Sequence, residues 1–252
     1  MRRTVVSLKI LAVGIAVILL CAVALVQGTA RAEELDKPLQ VVAVADGEVK
    51  GVASLFGNGE NYITDIKVQV KFDSFAPYYI ELEDGYSPAI YTFDFGGEDK
   101  LLFCSSQTGG SGGYGNYRVY RLNTDSYKLL YDDKIDSDGD AYCATFEQGG
   151  YMRIGNYLTQ YTLDVSLGYM DRTYYDMIFT PDGEVREGQK PNINAVSFVA
   201  PTLNPASGIF RLMTYRSVVA VAEVNRLGYI VATLDFDGEI FTASFSEFSI
   251  GI

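Results

Sequence analysis

The chain has no histidine and no tryptophan. Without an imidazole it cannot build a Ser-His-Asp or Cys-His nucleophile site, and it lacks the commonest zinc ligand and the one side chain that titrates near neutrality unaided. Without indole rings, any stacking surface must come from its 19 Tyr and 14 Phe. Cysteine is scarce, with three in 252 residues, and the first, Cys21, lies in an N-terminal apolar run. Helical periodicity is sparse after residue 40. No long linker or charge run divides the chain, which argues for a single folded domain over residues 33–252. A boundary within residues 182–205 is the alternative.

The start of the chain reads as an export segment. Arg2, Arg3 and Lys9 precede an uncharged apolar run of 17 residues, Ile10 to Val26, and Ala30-Arg31-Ala32 places small residues where a signal peptidase reads them. Residues 1–32 are thus expected to be a signal peptide cleaved before Glu33. The competing reading is an uncleaved anchor, for which 17 residues is at the short limit. Leu20 before Cys21 is too large for a lipoprotein site. Four of the 20 basic residues and none of the 32 acidic ones fall before residue 33, so the remainder holds 16 basic against 32 acidic, a formal charge of −16. Such a surface repels phosphate backbones and anionic lipid, which excludes nucleic acid as the expected partner. A membrane partner enters only through the N-terminal segment, if it stays uncleaved.

What the chain does have is short runs rich in Tyr, Phe, Val and Ile, punctuated by Gly, Asp and Asn. Strands are expected at 39–45, 50–55, 63–72, 78–82, 89–95, 100–105, 117–122, 126–131, 141–146, 151–154, 160–166, 209–215, 228–236 and 239–245. Turn signals fall at Asp46-Gly47, Gly96-Gly97, Asp138-Gly139, Asp182-Gly183 and Asp237-Gly238. Residues 170–179 suit a short helix as well as a strand. Residues 182–194 read as a polar excursion, and Pro201 with Pro205 as another loop. Strands at this spacing give an all-β fold, a sandwich, barrel or propeller-like multi-hairpin antiparallel assembly.

Three features could carry chemistry. Asp136, Asp138 and Asp140 offer alternating carboxylates, enough to begin a calcium site. Ala141 stands where a helix-loop-helix calcium loop needs glycine, so a looser β-type site is the calcium reading and a plain turn its rival. The stretch Gly109 to Gly115 lacks the Lys-Ser/Thr pair and following helix of a nucleotide loop. It reads as a wide hairpin connection, and its neighbours Ser105, Ser106, Gln107, Thr108, Ser111, Tyr114 and Tyr117 supply hydroxyls, an amide and rings suited to a sugar or peptide. Cys104 and Cys143, both in expected strands, are either a disulfide or two buried thiols. Asp235 and Asp237 read as a turn-facing pair.

Several segments carry a family likeness: Gly85-Tyr86-Ser87-Pro88, YTFDFGGEDKLLFCSSQTGGSGGYGNYRVYRL from Tyr91 to Leu122, KLLYDD from Lys128 to Asp133, and the weaker YTLDVS, YDMIFTPDGEV and LGYIVATLDFDGEIF further on. On these the chain resembles a group of exported proteins of Gram-positive spore-forming bacteria, related to VCBS or FG-GAP repeat proteins and in part spore-coat-associated. The resemblance implies a propeller-like all-β fold, an extracytoplasmic place and acidic loops of the calcium-binding kind. In Asp94 to Asp99, where such a loop would stand, Gly96 and Gly97 occupy ligand positions.

The expected function is that of an exported, non-enzymatic surface, envelope or spore-coat-type protein. Its loops, with Ser105, Gln107, Ser111, Tyr114 and Tyr117 foremost, would bind a wall or coat polymer or a protein. No cofactor is expected apart from calcium. The alternatives are a secreted hydrolase using a carboxylate pair and a calcium-stabilised structural module.

Overall fold

The structure, a computed structural model, describes residues 37–97, 100–109, 114–135, 141–157, 160–221 and 225–250. The expected export segment lies outside these residues. Among them no helix is long and apolar enough to cross a membrane. Residues Leu39–Ile252 form one compact unit.

The described part of that unit is antiparallel β throughout, with one short helix. An eight-stranded sheet holds β1 (Gln40–Asp46), β2 (Val49–Asn58), β3 (Tyr62–Phe72), β4 (Tyr78–Glu81), β5 (Gly85–Phe93), β6 (Leu101–Gln107), β7 (Gly115–Leu122) and β8 (Tyr127–Asp132). A three-stranded meander follows: β9 (Tyr142–Glu147), β10 (Tyr151–Asn156) and β11 (Tyr161–Ser166). The helix α1 (Arg172–Ile178) leads to a four-stranded meander of β12 (Asn192–Leu203), β13 (Phe210–Val219), β14 (Arg226–Phe236) and β15 (Phe241–Ser249). Sheets of eight, three and four strands that share one core are not the repeated radial blades of a propeller, so that part of the expectation is corrected, while the multi-hairpin antiparallel assembly stands.

The arrangement follows from one strand pair. In β6 the run Leu101-Leu102-Phe103-Cys104 is buried without a polar break. Strand neighbours point to opposite faces, so an unbroken apolar run belongs to a strand covered on both sides. Leu101 and Phe103 join Tyr117 and Val119 of β7 in a core shared with Phe146, Met152, Ile178, Val199, Leu212 and Ile230 of the later elements. Leu102 and Cys104 join Tyr120 and Leu122 in a second core with Leu55, Ile66, Val68, Phe72 and Ile80. The β5–β8 segment is therefore a middle layer. Each fully buried Leu or Phe in it contributes roughly 1.5–3 kcal/mol, and both cores depend on it.

The first sheet rolls over to enclose the second core. The Gln40 side chain donates to the Ile90 carbonyl at 2.6 Å and accepts from the Ile90 N–H at 2.9 Å, so an amide side chain stands in for a strand neighbour between β1 and β5. Asp46 accepts from the Thr124 N–H at 2.8 Å, and the Tyr78 hydroxyl donates to the Asn123 carbonyl at 2.9 Å, fastening β1 and β4 to the β7–β8 turn. The helix is where the sequence places it, capped by Asp171, whose carboxylate accepts from the Thr173 N–H at 2.8 Å. β12 corrects a loop expectation: it contains Pro201 and two register shifts, and it lies at a sheet edge, where a missing N–H costs no ladder bond.

Candidate functional site

The glycine-rich connection and the strands beneath it form the candidate site. On its edge away from β2, β3 serves two partners: Tyr62 and Ile63 pair with Tyr86 and Gly85 of β5, while Lys67 to Val70 pair with β4. Where the partners part, Asp65 adopts φ 52°, and Ser87, inside the register shift between Tyr86 and Ala89, adopts φ 47°. Such left-handed non-glycine residues are strained and persist only where surrounding contacts fix them. Here the Asp65 N–H donates to Asp84 at 2.9 Å and the Asn58 amide donates to the Asp65 carboxylate at 3.2 Å.

The junction sets two tyrosines together at the surface. The rings of Tyr62 and Tyr86 meet edge to face with centroids 5.0 Å apart, and the residues are 44% and 40% exposed. Tyr86 also lies over Gly109, which has φ 78° and where a Cβ would come within 2.1 Å of the ring. Glycine is required there by both the backbone angle and the ring. The connection is pinned at its described ends by Thr108, whose N–H and hydroxyl both donate to the Tyr114 carbonyl at 3.0 and 2.9 Å.

The sequence-predicted ligand residues divide around this surface. Tyr117 is buried, packed against Phe103 and edge-on to Phe198, with Gln107 donating to its hydroxyl at 3.1 Å. It is a core residue, not an exposed stacking ring, because its place in β7 alternates onto the core face. Ser105, Gln107 and Tyr114 are half-buried near the connection. Ser111 lies outside the described residues, as do Asp136, Asp138 and Asp140. Among the described residues no group of three acidic or thiol side chains is gathered as a metal site. Cys104 and Cys143 are both free thiols in the structure. Cys104 belongs to the second core, where burial pushes its thiol pKa up, and Cys143 is half-buried in β9. Sequence reasoning missed Tyr62 and Tyr86. Both follow glycine-containing turns (Gly57-Asn58-Gly59 and Asp84-Gly85), a visible sign, but only the β3–β5 register brings them together.

Beside the site lies a charged network. Arg118 donates to Asp132 at 2.9 Å and to Glu83 at 3.1 Å, Lys134 pairs with Glu83, and the Lys134 N–H donates to Asp132 at 2.9 Å. The adjoining cavity, lined by Cys104, Ser106, Asn116 and Arg118, holds about 10 Å³, no more than the room for a single water. Asp133 accepts from the Tyr117 N–H at 2.7 Å. Removal from water pushes its pKa up to about 6; the Tyr117 N–H opposes the rise and the charge of Asp132 adds to it. Asp235 pairs with Arg211 at 2.7 Å, and Asp237 accepts from the N–H groups of Glu239 and Ile240 at 2.8 and 2.9 Å. Asp237 is thus a turn residue, as expected, and those bonds lower its pKa.

The YybI C-terminal domain family matches residues 141–249. That span begins just before β9 and ends with β15, leaving the eight-stranded sheet outside it. The chain is also 22% identical over 159 residues to "Uncharacterized protein YybI" of Bacillus subtilis (strain 168), a match covering 62% of this chain and 60% of that protein. The matched part thus spans about three fifths of that relative's length. No solved structure matches the chain. The likeness to a Bacillus protein holds in this coarser form, and none of these matches is to a VCBS or FG-GAP repeat protein.

Proposed function

We propose that the protein is an exported, non-enzymatic surface or envelope protein that holds a wall or coat polymer, or a protein of that layer, on a rigid β scaffold. The observation that carries this reading is the Tyr62–Tyr86 pair, two partly exposed rings fixed at 5.0 Å by strained backbone and seated on Gly109. Rings held this way offer a stacking face without losing rotamer freedom on binding. The hydroxyl and amide groups of Thr108 and Gln107 adjoin them. The export-type N-terminus and the acidic charge fit an extracytoplasmic place.

The test is retention of the purified protein on isolated wall polysaccharide and on spore-coat extract. Retention should fall at least tenfold in Tyr62→Ala/Tyr86→Ala with an unchanged melting midpoint. No retention of the parent protein, or full retention of the double variant, would contradict the reading. Tyr117→Ala is unsuitable, because it empties a core position.

The alternative, a secreted hydrolase with a carboxylate pair, finds one favourable observation in the raised pKa of Asp133. Its neighbour Asp132 is committed to Arg118 and the Lys134 amide. Turnover of a wall polysaccharide by the parent protein but not by Asp133→Asn would establish it.

A further inference from the structure

The eight-stranded sheet has one narrow joint. β3 and β5 pair through two residues only, Tyr62 with Tyr86 and Ile63 with Gly85, whereas β5–β6 and β6–β7 each pair through six. Tyr62 and Tyr86 stand directly opposite each other, so their side chains leave the same face of the sheet. The backbone around them is fixed: the Asp65 N–H donates to Asp84 at 2.9 Å, and Ser87 holds φ 47° within the register shift that follows Tyr86.

The two rings meet edge to face, with 5.0 Å between centroids and 72° between planes. Both residues are partly exposed, and among the described residues neither phenol hydroxyl has a hydrogen-bond partner. No other close tyrosine pair among the described residues combines these features. Tyr127 lies 6.0 Å from Tyr78, whose hydroxyl donates to the Asn123 carbonyl, and 5.6 Å from Tyr120, which is buried. The chain has no tryptophan to compete for an oxidant. A phenol that loses an electron and its proton becomes a radical with spin on the ring carbons ortho to oxygen. Two such rings held in contact couple within one molecule faster than separate molecules meet.

We propose that Tyr62 and Tyr86 form an oxidative cross-linking site, where a haem peroxidase with hydrogen peroxide joins the two rings as dityrosine and so staples β3 to β5. Each phenol gives one electron to the peroxidase and one proton to water. The new bond forms between two ortho carbons, and their hydrogens move to the two oxygens, restoring both phenols. Hydrogen peroxide takes up the two electrons and two protons as two waters, so the protein loses two hydrogen atoms. The coupling needs no polymer and is independent of the stacking role of the same rings. The bond closes the chain between residues 62 and 86, and a cross-link over a loop of about 25 residues should raise the melting midpoint by about 5 °C or more.

The experiment treats the full-length protein, its accessible thiols first alkylated, with a haem peroxidase and an equivalent of hydrogen peroxide. Monomer is then recovered by gel filtration and digested for mass spectrometry. The monomer should show dityrosine fluorescence, the loss of two hydrogen atoms, a linked peptide joining Tyr62 to Tyr86, and the raised midpoint. Tyr62→Phe and Tyr86→Phe keep both rings and remove only an unpartnered hydroxyl, and each should abolish the monomer's dityrosine. Dityrosine confined to dimers, a monomer link joining other tyrosines, or monomer fluorescence that survives in either Phe variant would overturn the proposal. So would a cross-linked monomer that melts no higher than the untreated protein.

Discussion

Replacing Asp133 with an asparagine should stabilise the protein at neutral pH and leave it unchanged in acid. The Asp133 carboxyl is partly withdrawn from water and its pKa is pushed up to about 6. An acid that holds its proton more tightly when folded contributes stability that is fully present below its unfolded pKa, about 4, and is lost as pH rises through about 6. The whole shift would correspond to about 3 kcal/mol. Asp133 is only half-buried, and solvent screening brings the expected effect to about 1.5 kcal/mol. The side-chain amide in Asp133→Asn would keep an oxygen to accept the Tyr117 N–H, so the substitution removes the charge and little else. At pH 7.5 the variant should be about 1.5 kcal/mol more stable, or about 4 °C higher in melting midpoint for a domain of this size. At pH 4 the two should coincide. Urea unfolding followed by circular dichroism at pH 4, 5, 6 and 7.5 measures both. A variant less stable by the same amount at every pH, or one that keeps the parent's slope between pH 4 and 6, would mean that the Asp133 charge is not what burial penalises.

Leu101→Ala and Leu102→Ala should each cost about 2–5 kcal/mol in urea unfolding, although adjacent residues of an ordinary half-exposed strand would differ widely. Gly109→Ala should cost about 1–3 kcal/mol and displace Tyr86, seen as weakened retention on whatever polymer the Tyr62–Tyr86 pair binds. In the native protein a thiol reagent should label Cys143 and spare Cys104, both should react after unfolding, and reduction should add no mass for a Cys104–Cys143 bridge.

Much of the fold was written in local pattern. The alternating runs of β3 and β14, the LLFC run of β6 and the Asp237-Gly238 turn stand within a few residues of where the sequence puts them, because each is dictated by side-chain period or turn chemistry. β12 was hidden, since Asn192, Asn194 and Pro201 weaken its strand signal and its edge position removes the objection to proline. The layering was hidden too: which face of β6 meets which sheet depends on contacts far apart in sequence. The site was legible only in part. The glycine connection was visible, but Tyr117 alternates into the core, and Tyr62 joins Tyr86 through a two-residue pairing that no local motif announces. The propeller-like expectation came from the family resemblance, while strand spacing counts hairpins without fixing how they stack and left sandwich, barrel and propeller open.

The β5–β8 layer contributes to both cores, so the segment matching the YybI C-terminal domain family completes its core only against β6 and β7. Native-state hydrogen exchange read by mass spectrometry tests this most directly. The slowest amides of β2–β3, β6–β7 and β12–β14 should exchange together in a single cooperative opening, with β6 and β7 among the most protected. Exchange of residues 141–249 as a separate block, opening at its own free energy while β2–β7 stay closed, would show instead that the two cores fold independently.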